Sequence, residues 1–359
     1  MIPSLRPYAV RLLKGRQLAI TFVDVGSRNG LHELGDLAPF VEAYGFEPNP
    51  REYDKLLTGK TDEFLMYGYS APAHAKVSYF PYALGNFCGR HEFYLTPGPG
   101  SCGLLEPNLE RLREIVWKGR RCQRNLGDDD FAACEKIEVE VKTLEAFADE
   151  HGIQDIDYLK IDVEGSEFEV LEGARSRLPR TGVIKVEICF IPLRKGQKLF
   201  SHVDLLLREF GFDLLRYEIA PAHVGYKERS GPVDVLPGRE VPDPHGQVVS
   251  CDAIYVNRGL RDPNRALVQA VVLADKGYLD EACYVLRNKT DVRDETLFEL
   301  LRMARSRGGT VGQRLRVMGH QTVDAVLDTG GRLVRRLRRS GARPLRASHA
   351  AAEERGVAS

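Results

Sequence analysis

Three carboxylates lie close together at the end of one apolar run. Residues 158–163 have the pattern of a buried β-strand, and Asp162, Glu164 and Glu167 fall within six positions where this run stops. At the carboxyl ends of strands in an open α/β sheet, such groups bind ligands or take up protons. Asp162 and Glu164 are therefore candidates for a general base or for groups that orient an acceptor. We interpret Glu167 as a residue that favours a helix amino terminus through the helix dipole.

Glu187 is the third catalytic candidate, because it lies on the neighbouring predicted strand, residues 183–190. Asp162, Glu164 and Glu187 could together coordinate Mg²⁺ or Ca²⁺, which prefer oxygen ligands. However, such clusters also arise from cofactor and substrate binding alone, and no histidine is near them in sequence. We therefore assign no metal ligands and keep assistance by Mg²⁺ as an alternative.

A glycine-containing turn and a later acid indicate a nucleoside site. The turn 24–30 follows a predicted strand, and Glu47 ends the next strand, 23 positions after Asp24. An acid at that position can accept both ribose hydroxyls of a nucleoside. Arg28 stands where a dinucleotide-binding loop needs its middle glycine, so a ligand without phosphates is predicted rather than NAD. S-adenosylmethionine is the common ligand of that kind.

Alternating apolar and amphipathic segments predict βα units that build a mostly parallel sheet. Strands are predicted at 18–25, 41–46, 77–84, 137–141, 158–163, 183–190, 212–217 and 253–257. Helices are predicted after Gly30, at 51–57, after a Thr143 cap, at 166–177 and after a Ser201 cap. Segments 96–135 and 221–250 are predicted to be acceptor loops, and the proline-rich second segment is interpreted as a lid without regular structure.

The chain divides into four predicted parts. Residues 1–17 are an N-terminal segment, and 18–260 form the main domain. Residues 261–310 resemble a helical hairpin, which has to pack on the main domain or on another subunit to bury its apolar face. Residues 311–359 are predicted to be a basic amphipathic helix and a disordered tail, with peripheral contact to an anionic membrane as an alternative.

Charge and cysteine usage limit the partners. The 51 lysines and arginines balance 51 aspartates and glutamates, so no nucleic-acid partner is expected. Seven cysteines without a C-x-x-C pair argue against a disulfide framework and a zinc ribbon, and indicate the cytoplasm. No window of about eighteen apolar residues predicts a membrane span, and the charged amino terminus does not read as an export signal.

Five short blocks occur in a family-specific order. They are Phe22-Val23-Asp24-Val25-Gly26, Phe46-Glu47-Pro48-Asn49-Pro50, Ala83-Leu84-Gly85, Thr143-Leu144, and the run from Leu159 to Glu167. In these blocks the chain resembles the FkbM family of S-adenosylmethionine-dependent methyltransferases over about residues 18–257. The resemblance implies a Rossmann-like class I methyltransferase fold, with a seven-stranded sheet, parallel but for one strand, helices on both faces and here a C-terminal helical extension. It also implies O-methylation of a hydroxyl on a sugar, a glycan or glycolipid, or a polyketide-like product.

The resemblance also assigns roles residue by residue. Together with the turn and the acid described above, the predicted cofactor-binding residues are Asp24, Gly26, Ser27, Asn29, Gly30, Glu47, Pro48, Asn49, Ala83, Leu84 and Asp162. Asp162, Glu164 and Glu187 are the predicted catalytic residues. A non-catalytic nucleoside-binding scaffold is the alternative function, and a homo-oligomer is an open expectation.

Overall fold

The apolar runs of the chain form one seven-stranded sheet and two small sheets. The computed structural model describes residues 6–68, 70–118, 135–218, 223–226 and 247–293, together with 295 and 298. The strands are Ile20–Val25 (β1), Val41–Phe46 (β2), Lys76–Phe80 (β3), Ala83–Leu84 (β4), Gly89–Leu95 (β5), Ile115–Lys118 (β6), Glu135–Lys142 (β7), Ile156–Ile161 (β8), Thr181–Cys189 (β9), Phe212–Glu218 (β10), His223–Tyr226 (β11), Gln247–Val248 (β12) and Ser250–Asn257 (β13).

Helices connect these strands. The α-helices are Arg6–Gly15, Pro50–Thr58, Asp62–Tyr67, Leu109–Glu114, Leu144–Glu150, Glu167–Glu172, Phe200–Glu209, Pro263–Asp275 and Leu279–Lys289. Three short 3-10 helices span Gly35–Phe40, Pro99–Ser101 and Leu178–Arg180. Among the helices that the structure describes, none is both long and apolar enough to cross a bilayer.

The large sheet has the strand order β10-β13-β9-β8-β1-β2-β3. Strand β13 runs antiparallel to both of its neighbours, and the other pairs of neighbours are parallel. The prediction of a sheet that is parallel but for one strand is thereby confirmed. Because the parallel strands β1, β2 and β8 point the same way, their carboxyl ends meet at one edge of the sheet.

Both faces of the large sheet are covered by helices, as predicted. On one face the helices Leu144–Glu150, Glu167–Glu172 and Phe200–Glu209 bury their apolar side chains against the strands. On the other face, apolar side chains of Pro263–Asp275 and Leu279–Lys289 pack with the strand residues Phe22, Tyr158 and Ile254. A sheet buried on both faces explains why its central strands read as nearly continuous apolar runs.

The predicted strand 77–84 was wrong in its extent. The chain forms β3 in the large sheet, breaks at Pro81, and then forms β4, which pairs with β7 in a small sheet of order β4-β7-β5. Proline has no N–H for the ladder and fixes its own φ, so it ends a paired strand. The break turns Ala83 and Leu84 away from the large sheet and toward its carboxyl edge.

Three of the predicted helix starts have different outcomes. Thr143 is confirmed as a cap, because its Oγ1 accepts a hydrogen bond from the Ala146 amide at 3.1 Å. The Ser201 cap was wrong: the helix begins at Phe200 after Leu199, so Ser201 lies inside its first turn. After Gly30 the chain forms the 3-10 helix Gly35–Phe40, which contains Pro39, and not the α-helix that was predicted.

The two predicted acceptor loops contain strands that pair with each other. Strand β6, from the first loop, runs antiparallel to β11, from the second, and β11 also pairs with β12. The prediction that 221–250 lacks regular structure was therefore wrong at β11 and β12. Residues 119–134, 221–222 and 227–246 of these segments lie outside the described residues.

The helical hairpin packs on the sheet through polar as well as apolar contacts. Gln269 donates hydrogen bonds to the carbonyls of Gly182 and Asn257, at 2.8 and 3.0 Å. Arg265 pairs with the buried Asp157 at 3.0 Å. The predicted domain boundaries stay predictions, and the basic segment 311–359 lies outside the described residues.

Candidate active site

A cavity of about 320 Å³ opens at the carboxyl ends of β1, β2 and β8. Its volume is within the range of small-molecule sites, roughly 300–1,000 Å³. Most of the predicted cofactor residues line it, namely Asp24, Gly26, Ser27, Asn29, Gly30, Glu47, Pro48, Ala83, Leu84 and Asp162, and so does the predicted catalytic residue Glu164. Asn49 and Glu187 are not among the lining residues.

The turn after β1 depends on Gly26. Its φ is +92°, and a Cβ added there would lie 1.9 Å from the Asp162 carbonyl oxygen. The amides of Gly26 and Ser27 both donate to the Phe46 carbonyl, at 3.2 and 3.0 Å. These bonds join the turn to the end of β2, and the Asp162 amide, which donates to the Val25 carbonyl at 2.9 Å, joins the end of β8 to β1.

Several buried polar atoms on the cavity wall are available to a ligand. Within the described part of the chain, Ser27 Oγ, Asn29 Oδ1 and Ser166 Oγ have no hydrogen-bond partner. Both serines are 1% exposed. Because buried polar groups are almost always hydrogen-bonded in proteins, three such atoms on one wall fit a polar ligand. The amino-acid and nucleoside parts of S-adenosylmethionine offer complementary groups.

Glu47 is placed at the end of β2, as the sequence indicated. It is 6% exposed, and its Oε1 accepts a hydrogen bond from the Asn49 amide at 2.8 Å. Burial raises the pKa of Glu47 to about 7, although the Asn49 amide acts in the opposite direction. Asn49 caps the helix Pro50–Thr58, since its Oδ1 accepts from the Arg51 amide at 3.1 Å.

Lys160 lies between two of the predicted site residues and was missed by the sequence analysis. Its Nζ is 3.2 Å from Asp24 Oδ1 and 3.4 Å from Asp162 Oδ2. Burial lowers the pKa of Lys160, but the two carboxylates outweigh burial and the net shift is upward. Lys160 is therefore a cation at neutral pH and cannot act as a base. Its place in the run before Asp162 was visible, but not the direction of its side chain.

Asp24 and Asp162 differ in their surroundings although they share this lysine. Asp24 is 2% exposed, and burial raises its pKa against the effect of Lys160. The Asp162 side chain is 44% exposed, while its backbone amide donates to the Val25 carbonyl at 2.9 Å. Asp24 is thus buried beside Lys160, whereas the Asp162 carboxylate is partly exposed at the cavity.

Glu164 combines a strained backbone with a raised pKa. Its φ is +61°, a conformation that costs a residue with a side chain of order 1–3 kcal/mol and is concentrated at functional sites. Burial raises the pKa of Glu164 to about 7, Arg194 lowers it, and Asp162 and Glu167 raise it. Arg194, a second residue that the sequence analysis missed, approaches Glu164 Oε2 at 3.2 Å.

Glu187 reaches the same group of acids from β9. Carboxylate oxygens of Asp162, Glu164 and Glu187 all lie within 4.8 Å of one another. Burial, followed by the charges of Glu164 and Asp162, raises the pKa of Glu187 well above its ordinary value. Burial therefore favours the protonated form of Glu187, which can donate a hydrogen bond.

Glu167 has a structural position. Its Oε1 accepts hydrogen bonds from the amides of Val163 and Gly165, at 3.2 and 2.9 Å. It is the first residue of the helix Glu167–Glu172 and is 4% exposed. Glu167 thus holds the loop that carries Glu164.

The wall of the cavity opposite the sheet comes from the first predicted acceptor loop and from β5. Phe93, Pro99, Gly100, Cys102 and Leu104 line it. A Cβ on Gly100 would be 3.5 Å from the Arg28 guanidinium, so this loop lies over the turn 24–30. Arg28 itself is held by Asp62 at 2.8 Å and Glu52 at 3.6 Å.

The strand order, the tight turn after β1 and the acid after β2 define a class I methyltransferase fold. The family profile described as methyltransferase FkbM domain matches residues 24–214, more than half of the chain. The chain belongs to the FkbM family of S-adenosylmethionine-dependent methyltransferases and is an enzyme.

Individual relatives agree with this assignment. Methyltransferase sdnD of Sordaria araneosa is 28% identical over 208 residues, which cover 54% of this chain and 74% of the relative. The 2-O-methyltransferase NoeI of Sinorhizobium fredii (strain NBRC 101917 / NGR234) is 26% identical over 195 residues, or 51% and 70% of the two chains.

One solved structure was also matched. Magnesium protoporphyrin IX methyltransferase (ChlM) from Synechocystis PCC 6803, solved with bound SAM, is 11% identical and covers 71% of this chain and 77% of its own, with a TM-score of 0.29.

Proposed function

We propose that the protein is an O-methyltransferase whose acceptor is a hydroxyl of a sugar, a glycan or glycolipid, or a polyketide-like product. The observation that carries the proposal is the single cavity that joins the predicted cofactor residues to Asp162 and Glu164. The printed name of one relative, 2-O-methyltransferase, supports oxygen as the acceptor atom. The family assignment favours this enzyme over the nucleoside-binding scaffold.

The cofactor end of the proposed site is polar and buried. Glu47 is positioned to accept ribose hydroxyls, and Ser27 and Asn29 offer polar atoms to the amino-acid part. Ala83 and Leu84 supply an apolar wall beside Phe93. When bound, S-adenosylmethionine supplies a methyl group on a positively charged sulfur.

Asp162 lines the cavity with a partly exposed carboxylate, which can attract a positively charged group of a ligand. Its carboxylate is exposed toward the cavity and held by Lys160. Lys160 also fixes Asp24, which keeps the ends of β1 and β8 in register. The proposed role of Asp162 is therefore to orient ligand groups, while a different acid takes the proton.

Glu164 is the best base among the three acids. An effective general base has a pKa near the working pH, and Glu164 meets this condition at about 7. The protonated form of Glu187, which burial favours, can donate a hydrogen bond to the acceptor oxygen or to a neighbouring hydroxyl. An alcohol is a weak nucleophile at neutral pH, so removal of its proton and alignment for in-line transfer supply the acceleration.

A metal-assisted form of the same reaction is the second candidate. It is favoured by the mutual approach of carboxylate oxygens from Asp162, Glu164 and Glu187 within 4.8 Å. A divalent cation there would bind vicinal hydroxyls and lower their pKa. Unchanged turnover after treatment with EDTA contradicts this form, whereas loss that Mg²⁺ restores supports it.

The remaining proposals concern the cellular setting. We propose a cytoplasmic enzyme, with acceptor choice determined by segments 96–135 and 221–250. Peripheral contact of the basic tail with an anionic membrane and a homo-oligomer are proposals at the same level. Each can be examined by vesicle flotation and by light scattering on the full chain.

The function is tested in two steps. Calorimetric titration with S-adenosylmethionine and S-adenosylhomocysteine is expected to show one site per chain for each. Methyl transfer from labelled cofactor is then screened over methyl glycosides, fractionated glycans, glycolipids and polyketide alcohols. Label incorporation into a base-stable ether supports the proposal. Binding without transfer to any hydroxyl in these pools contradicts it.

A further inference from the structure

Arg194 is a buried cation that lies just outside the cavity. Its side chain is 2% exposed, and Arg194 is the largest of the fully buried residues by volume within the described part of the chain. Its Nη2 donates to the Ser101 carbonyl at 2.6 Å and to Glu164 Oε2 at 3.2 Å. One nitrogen therefore joins the loop over the cavity to the proposed base.

The backbone that carries Arg194 is fixed independently of its side chain. The amides of Leu193 and Arg194 donate to Gln197 Oε1 at 2.8 and 3.1 Å. Two further backbone hydrogen bonds join this segment to residues 106–108, from Lys195 to Glu106 at 2.8 Å and from Asn108 to Leu193 at 2.9 Å. The guanidinium is thus delivered from an anchored segment to a loop and an acid that both border the cavity.

The loop that carries Glu164 fits closely around Arg194. A Cβ on Gly165 would lie 2.8 Å from Arg194 Cγ, and a Cβ on Gly103 would lie 3.3 Å from the Glu164 carbonyl oxygen. Glu164 itself is held at a φ of +61°. Such a conformation persists only where surrounding contacts over-determine it. The ion pair with Arg194 is one of those contacts.

We propose that Arg194 is a positioning residue, which holds the Glu164 carboxylate toward the cavity and ties the loop 99–103 to it. The proposal rests on the proposed role of Glu164 as the base. It goes beyond that role because it makes the places of both the acceptor loop and the base depend on one buried guanidinium.

The charges around Glu164 show why a cation is needed there. Asp162 and Glu167 face Glu164 and raise its pKa, whereas Arg194 lowers it. Glu187 also faces it from β9, together with the thiol of Cys189. Lys160 contacts Asp162 and Asp24. Removal of the Arg194 guanidinium would leave the Glu164 carboxylate among acids and without the contact that directs it toward the cavity.

The first experiment measures methyl transfer, with a pool of methyl glycosides as the acceptor probe. Arg194→Gln is expected to lower kcat at least tenfold, while the KM for S-adenosylmethionine stays within about twofold of that of wild type, because the base is displaced and the cofactor site is not. Arg194→Lys is expected to restore part of kcat. The matched control is Lys195→Gln, which removes an exposed cation paired with Glu106, and its kcat is expected to equal that of wild type. An unchanged kcat, or a loss that appears in the KM for the cofactor instead, overturns the proposal.

A double variant separates action through Glu164 from a general structural effect. If Arg194 acts through Glu164, then Glu164→Gln/Arg194→Gln turns over within about twofold of Glu164→Gln alone. If the double variant instead loses turnover by the product of the two single-variant losses, the proposal is overturned. Titration with S-adenosylhomocysteine checks that each variant keeps its cofactor site.

The second experiment needs no acceptor and therefore separates failure of this proposal from failure of the proposed function. Hydrogen exchange of the full chain is measured for the peptide that covers residues 97–104. Arg194→Gln is expected to speed exchange of this peptide about tenfold, because a charge-assisted hydrogen bond to Ser101 is lost. Lys195→Gln is expected to leave it unchanged. Equal exchange in wild type and Arg194→Gln overturns the link to the loop, even if no acceptor is found.

Discussion

Replacement of Gly26 by alanine tests whether the ends of β1 and β8 must approach as closely as they do. An alanine there meets two obstacles. The φ of +92° is a left-handed conformation that L-residues avoid, and the new Cβ would be 1.9 Å from the Asp162 carbonyl oxygen. Gly59→Ala is the matched control, because Gly59 has a φ of +66° but nothing lies within 4 Å of an added Cβ.

The expected magnitude follows from these two obstacles. Both variants incur the cost of a positive φ, about 1–2 kcal/mol. Only Gly26→Ala also forces the strand ends apart, by about 1.5 Å if the 1.9 Å contact is to reach an ordinary distance of about 3.4 Å. That movement weakens the bonds from Asp162 to Val25, at 2.9 Å, and from Gly26 to Phe46, at 3.2 Å. At about 1 kcal/mol each, the total loss is about 3–4 kcal/mol, against about 1–2 for the control.

Two measurements check this reasoning. Urea unfolding gives the free energy of unfolding of wild type and both variants, and calorimetry gives the affinity for S-adenosylhomocysteine. Gly26→Ala is expected to bind at least about tenfold more weakly, which corresponds to about 1.4 kcal/mol, while Gly59→Ala binds like wild type. If Gly26→Ala is as stable as Gly59→Ala and binds normally, the close approach is not required and the argument fails.

Three further predictions concern charged groups of the site. Glu164→Gln is expected to lower kcat about 10²–10³-fold with unchanged S-adenosylhomocysteine binding, and wild-type turnover should rise with pH through about 7, as the carboxyl of Glu164 loses its proton. The control is Glu138→Gln, which changes an exposed acid paired with Arg90. A kcat of Glu164→Gln equal to that of wild type would exclude Glu164 as the base. Glu47 has its pKa raised by burial from 4.5 to about 7, so the folded state binds more protons between these values and this group lowers stability as pH rises. Urea unfolding at pH 5 and pH 8 should therefore show Glu47→Gln gaining on wild type at the higher pH, and a pH-independent difference would contradict this. Lys160→Met leaves Asp24 buried without its cation and is expected to cost about 3 kcal/mol of stability, of which Asp24→Asn in the same chain recovers more than half. Equal stability of the single and double variants in thermal unfolding would contradict the pairing.

Local patterns were sufficient for the parts of the site that strand ends supply. Asp24, Glu47 and Asp162 each follow an apolar run, and parallel strands bring such ends to one edge. Thr143 was recognisable as a cap because its bond to Ala146 spans three residues. Ser201 is not a cap, because the helix already begins at Phe200, after Leu199. A serine can also lie inside the first turn of a helix, so its presence alone does not mark the start. Pro81 lies inside the predicted strand 77–84. Because proline has no N–H for the ladder, it marks the end of β3.

Contacts between distant segments could not be read in this way. Lys160 and Asp24 are 136 positions apart, and Arg194 and Glu164 are 30 apart. The pairing of β6 with β11 joins the two predicted acceptor loops, although the composition of the second loop indicated only irregular structure. Each of these contacts depends on the path of the chain between its two partners, about which periodicity contains no information.

The amino-acid sequence by itself determined the family, the mostly parallel sheet and the identity of the acids and glycines at its edge, because these depend on short-range pattern and on the geometry shared by all parallel strands. Only the tertiary structure decided which cationic side chain forms an ion pair with which acid. Lys160 is directed to Asp24 and Asp162, and Arg194 to Glu164, because packing of the sheet and its loops determines where a long side chain can end. Burial by that packing also raises the pKa of Glu164 to about 7, so the suitability of Glu164 as the proposed base arises only in the folded chain.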